Sequence, residues 1–92
     1  MDESAATNAC HIFLSGKEVE LGEPLALVSR PQRLSGAWAF FYQSRAFVET
    51  GAFSALLVGH GPVIIRDNGE VIEGGSSDHD PDALLARFPV RS

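Results

Sequence analysis

The sequence predicts an α+β fold, a small antiparallel sheet of about four strands with an N-terminal and a C-terminal helix packed on it. Three observations lead there. Residues 37–44 alternate with period two and are apolar on both faces. Asp67-Asn68-Gly69 joins two short extended runs in the manner of a hairpin. Helical patterns occupy both ends of the chain, and no long helical run separates the extended ones.

The first element is a short helix over residues 4–14. Ala5, Ala9, Ile12 and Phe13 recur at helical spacing, as do Ala6, Cys10 and Leu14. Asp2 or Ser4 caps its start, and Gly16 stands where a helix commonly stops. Such a helix is too short to be stable alone and must dock. Residues 17–24 then read as a polar connection, residues 25–30 as a strand ended by Pro31, and residues 31–36 as a loop.

Residues 37–44 carry the strongest strand signal. Trp38, Phe40 and Tyr42 fall on one face, and Ala37, Ala39 and Phe41 on the other. A strand apolar on both sides is central, and small Ala37 and Ala39 leave room for a helix to approach. Trp38→Ala is expected to cost roughly 3–5 kcal/mol.

A turn or short helix follows around residues 45–50, then a short apolar segment over residues 55–58 and a tight loop at Gly59-His60-Gly61-Pro62. Residues 63–66 and 70–73 read as strands. Asn68-Gly69 between them favours a type I′ turn, in which both residues take positive φ. Gly74-Gly75-Ser76-Ser77 breaks the second strand. Asp80-Pro81 then supplies an N-cap and a first-turn proline to a closing helix. Its apolar face is Leu84, Leu85 and Phe88, and Pro89 ends it.

A chain of 92 residues leaves no room for a second core, so residues 1–92 are read as a single domain. Twelve acidic against seven basic residues give a net charge of −5. That balance repels a phosphate backbone and suits a basic protein surface. One cysteine permits no internal disulfide and points to the cytoplasm. The acidic start is unlike a signal peptide, and no apolar run reaches the ~18–20 residues that span a membrane.

No catalytic apparatus or cofactor motif emerges. Cys10 and His11 are adjacent on a helix and diverge, whereas zinc requires three or four converging ligands. Cys10 also falls on an apolar face, where a thiol is packing rather than a nucleophile. Asp78-His79-Asp80 flanks an imidazole with carboxylates but sits where a helix start favours acidic residues. There is no Gly-x-Ser-x-Gly elbow. Gly59-His60-Gly61 lacks the lysine of a phosphate loop and leads to no helix. The stripe Trp38, Phe40, Tyr42 lacks the interleaved basic residues of a base-stacking platform.

Four runs carry a family resemblance. Trp38-Ala39-Phe40-Phe41-Tyr42-Gln43-Ser44, Phe47-Val48-Glu49-Thr50-Gly51, Val58-Gly59-His60-Gly61-Pro62-Val63 and Asp67-Asn68-Gly69-Glu70-Val71 together resemble the YrhB-type domain. This is the immunity protein 35 family of bacterial polymorphic toxin systems. The resemblance covers about residues 5–75, and His60 departs from it where asparagine is commoner. It implies an α+β domain encoded beside a toxin, which it binds and neutralises in the producing cell, with no catalytic residues to carry over.

The expected function is therefore inhibition by a non-enzymatic protein that covers a toxin's active surface. The expected contact residues are His60 at a loop tip, the acidic set Glu70, Glu73, Asp78 and Asp80, and Arg45 and Glu49 at the edge. Short edge strands permit a homodimer. The alternative is a chaperone-like protein that holds unfolded chains on Phe47, Phe53 and the Ala55-Leu56-Leu57 run.

Overall fold

The computed structural model describes residues 1–89. Helix α1 (Glu3–Leu21) opens on Asp2, whose side chain accepts the Ala5 amide at 2.8 Å. Ala6, Cys10 and Leu14 form its buried stripe, while Ile12 faces outward. The helix is longer than predicted and passes through Gly16 without stopping. A mid-helix glycine costs only about 1 kcal/mol relative to alanine, and the following turn finds tertiary partners. Lys17 Nζ meets Glu73 at 2.6 Å, and Glu18 accepts the Leu25 amide at 2.7 Å. The helix ends instead at Gly22, whose φ of 75° supplies the left-handed cap.

Strand β1 (Leu25–Leu27) is shorter than predicted, and the expected loop at residues 31–36 contains β2 (Gln32–Leu34). This strand pairs antiparallel with β3 (Ala37–Phe40), placing Arg33 opposite Trp38. The Arg33 guanidinium lies 4.8 Å over the Trp38 ring and grips both Asp67 carboxylate oxygens at 2.9 and 3.0 Å. Cross-strand contacts of this kind build a strand that has no periodicity of its own.

The predicted strand at residues 37–44 is two strands in two sheets. β3 joins β5 (His60–Arg66), and β4 (Tyr42–Ser44) joins β1. The break falls at Phe41. Continuing the β3–β5 register past Phe40↔Val63 would oppose Phe41 to Pro62, which has no amide hydrogen to donate. The Phe41 carbonyl instead accepts the Val28 amide at 2.9 Å. Helix α2 (Arg45–Thr50) follows, as expected at those residues.

The larger sheet has the antiparallel order β2-β3-β5-β6, with β6 spanning Val71–Gly75. β5 begins at His60, so all but Gly59 of the expected tight loop at residues 59–62 is strand, with an irregularity between His60 and Val63. β6 likewise runs through Gly74 and Gly75 rather than breaking before them. Gly61 and Gly74 are required where these two strands cross. A Cβ on Gly61 would stand 2.2 Å from the Gly75 carbonyl oxygen, and one on Gly74 would stand 2.9 Å from the Pro62 carbonyl oxygen.

The β5–β6 hairpin is present, but its turn is not type I′. Gly69 alone has positive φ, at 92°, and Asn68 does not. Arg66 accepts the Gly69 amide at 2.8 Å and donates to the Glu70 carbonyl at 2.9 Å, so the loop has three residues and a left-handed glycine. Asn68 spends its side chain on the Glu70 amide, at 2.9 Å.

Helix α3 (Pro81–Ala86) starts as predicted, with Asp80 accepting the Asp82 amide at 3.0 Å. It ends before Pro89, leaving Phe88 exposed rather than on its apolar face. The sheet separates two clusters. Leu14, Leu25, Phe40, Tyr42, Val63 and Ile65 pack under α1, whereas Leu34, Ala37, Ala39, Ile64 and Ile72 pack against Leu84 of α3. Large residues of β3 thus face the long helix and small ones face the short helix. Trp38 is only half-buried, and its indole donates to the Met1 carbonyl at 3.0 Å.

Candidate functional site

The motif residues of β4 converge on one feature, the segment between α2 and β5. Gln43 and Ser44 hold it from the strand, and Tyr42 holds His60, the residue at which it enters β5. Gln43 Nε2 donates to the Leu57 carbonyl at 3.1 Å, and Gln43 Oε1 accepts the Leu57 amide at 2.9 Å. Ser44 Oγ donates to the Ala55 carbonyl at 2.5 Å and accepts the Phe47 amide at 3.0 Å, so one hydroxyl caps α2 and fixes the segment. His60 Nε2 lies 2.8 Å from the Tyr42 carbonyl, which can only accept, so this nitrogen carries the proton. The imidazole rests on the Tyr42 ring at 4.4 Å.

The segment's entry is equally defined. Thr50 Oγ1 donates to the Ala46 carbonyl at 2.6 Å and accepts the Ala52 amide at 3.2 Å, and Gly51 closes α2 with φ of 70°. A single 3₁₀ turn at Phe53–Ala55 follows. The backbone is pinned, yet the side chains point away from the core. Phe53 is 84% exposed and Val58 83%, with Leu56 also exposed and only Leu57 tucked against the α1 cluster. A bonded backbone bearing solvent-facing apolar side chains suits recognition better than folding.

His60 stands between two open clefts. One, of about 150 Å³, is lined by Leu21, Leu57, Val58 and Tyr42, with the Lys17–Glu73 pair along its side. The Glu73 hydrogen bond raises the Lys17 pKa, and burial raises that of Tyr42. The other, of about 260 Å³, gathers His60, Ser76, Asp78 and His79 beside Phe41 and Pro62. These are the residue types of a hydrolase, but they are not joined as one. Asp78 accepts the Gly75 amide at 2.7 Å and pairs with Arg87, His60 Nε2 faces the Tyr42 carbonyl, and no hydrogen bond links Ser76 to either imidazole. Buried Cys10 has its thiol pKa pushed up to about 12 by desolvation, and His11 beside it is exposed. Among the described residues, no group of three or more His, Cys, Asp or Glu is placed to hold a metal ion.

The residues expected from the sequence are dispersed. His60 is not at a loop tip but half-buried at the start of β5, because Tyr42 claims its ring and its proton. Glu73 shares one cleft with it and Asp78 the other. Glu70 pairs with Arg66 at 2.9 Å, at the far end of β5, and Asp80 is occupied as the α3 cap. Arg45 and Glu49 lie exposed on α2 and enter no salt bridge among the described residues. Gln43 and Ser44 were legible only as motif letters in this role, since the backbone groups of residues 55 and 57 that they hold are 11 to 14 residues away.

Among the described residues, no helix is long and apolar enough to cross a membrane. No curated protein and no solved structure matches the chain significantly. A family model described as immunity protein 35 matches residues 12–89, which reaches further toward the C-terminus than the four motifs and takes in α3. With most of its length matched by that model, the chain belongs to the immunity protein 35 family, whose members neutralise a cognate toxin of a polymorphic toxin system.

Proposed function

We propose that this protein neutralises its toxin by direct one-to-one binding that covers the toxin's active surface, inside the producing cell and as a single domain. The observation that carries this reading is the pinned segment at residues 53–58. It offers apolar side chains on a backbone already fixed by Gln43 and Ser44, so little ordering entropy is lost on association. The net charge of −5 favours a basic partner and would speed encounter at low salt. Of the charged residues, Glu73 and His60 line the cleft that Leu57 and Val58 of this segment share, and Arg45 and Glu49 lie on α2, which precedes it. Asp78, Asp80 and Glu70 would serve as outer contacts and set the field.

The test is co-expression with the toxin domain encoded beside this gene. Restored growth together with recovery of an equimolar complex supports the reading. Restored growth with no complex formed would point to a different mode of protection. Exposure of Phe53 and Leu56 also bears on a second reading, a general holder of unfolded chains. Suppression of aggregation of unrelated proteins at stoichiometric amounts would favour that one instead.

A further inference from the structure

Exposed apolar residues are densest between α2 and β5. Phe53, Leu56 and Val58 occupy one short segment, and Val58 shares a cleft with Leu21 at the end of α1. The ion group beside that cleft is net negative. Lys17 is the single ammonium serving both Glu20, at 3.6 Å, and Glu73, at 2.6 Å. Glu49 stands two residues before Gly51 with no cation of its own among the described residues. The last turn of α1 carries no basic residue, so its negative pole is also uncompensated. Carboxylates at a helix C-terminus are locally unfavourable, and an arriving cation relieves them.

From this arrangement we infer that Phe53 and Val58 are the anchors of the toxin-binding surface, entering an apolar hollow rimmed by lysine or arginine on the toxin. The inference rests on the reading that the protein binds its toxin directly, and it names the surface and the partner's chemistry. Charge complementarity selects the occupant. A second copy of this acidic chain would bring Glu20 and Glu73 against their own kind, which disfavours self-association through this face. A rigid aromatic surrounded by polar rim contacts is the usual form of an interface hot spot.

The experiment measures affinity and association rate for the toxin domain encoded beside this gene, using the full chain. Phe53→Ala and Val58→Ser are exposed substitutions, and matched melting temperatures confirm that each variant folds. Each is expected to weaken binding by at least about tenfold, mainly through faster dissociation. Glu20→Gln with Glu49→Gln is expected to slow association several-fold at low salt and to flatten its salt dependence. Wild-type affinity in both apolar variants overturns the anchor assignment while leaving direct inhibition intact. Absence of binding by the wild-type chain instead removes the underlying reading. Loss of self-association in the variants, with toxin binding unchanged, overturns the inference in favour of a second copy as occupant.

Discussion

The side-chain amide of Gln43 pairs in both directions with the backbone of Leu57, donating at 3.1 Å and accepting at 2.9 Å. In this it imitates a strand neighbour, and it lets an irregular segment lie along β4 without becoming a strand. Gln43→Ala leaves the half-buried Leu57 carbonyl and amide without those partners. The expected loss of stability is about 1–2 kcal/mol, with amide exchange at Leu57 accelerated more than that at Ile64. Unchanged exchange at Leu57 would show that the segment is held by something else.

The two faces of β3 differ in what they bear. Phe40 is fully buried under α1, whereas Trp38 is half-buried and closed over by Met1 and Arg33. Phe40→Ala should therefore cost about 3–5 kcal/mol and Trp38→Ala less, reversing the ranking that residue size alone suggests. Denaturant unfolding of the two variants decides the order.

Cys10 is sealed within the α1 stripe, and burial pushes its thiol up to about 12. Thiol reagents at mildly alkaline pH should modify it only as fast as the protein opens. Complete labelling within seconds under native conditions would place it at the surface.

Arg33 holds the Asp67 carboxyl below its ordinary range through their hydrogen bonds and charge, while the same bonds raise the guanidinium pKa. A depressed carboxylate stabilises the fold above its unfolded pKa, and that contribution disappears as pH falls through the lower folded value. Stability should therefore decline below about pH 4. Arg33→Gln should shrink this acid-side decline, as read from melting temperature against pH. Lys17 has the opposite sense, since its raised pKa makes a contribution that is full below the unfolded value and lost as pH rises past the folded one. An acid limb identical in the Arg33 variant would contradict the assignment.

Much of the architecture was legible because it depends on neighbours in sequence. The two-faced alternation of residues 37–40, the Asp80-Pro81 helix start and the hairpin at Asp67-Asn68-Gly69 are local signals, and each produces its element. What was not legible depends on distant partners. Gly16 fails to end α1 because Lys17 and Glu18 are engaged by Glu73 and Leu25. The break at Phe41 is dictated by Pro62, which lies in another strand. The same division applies to the site. Exposed charges such as Glu49 could be named from the sequence, but the pinning of residues 53–58 by Gln43 and Ser44 could not, since a polar letter in a strand does not disclose its target.

Direct coverage of the toxin's active surface is tested most plainly by residual toxin activity against the molar ratio of this protein. With toxin well above the dissociation constant, activity should fall in a straight line and reach zero at equimolarity. A toxin that stays active within a purified complex, or full inhibition by a small fraction of an equivalent, would contradict stoichiometric occlusion.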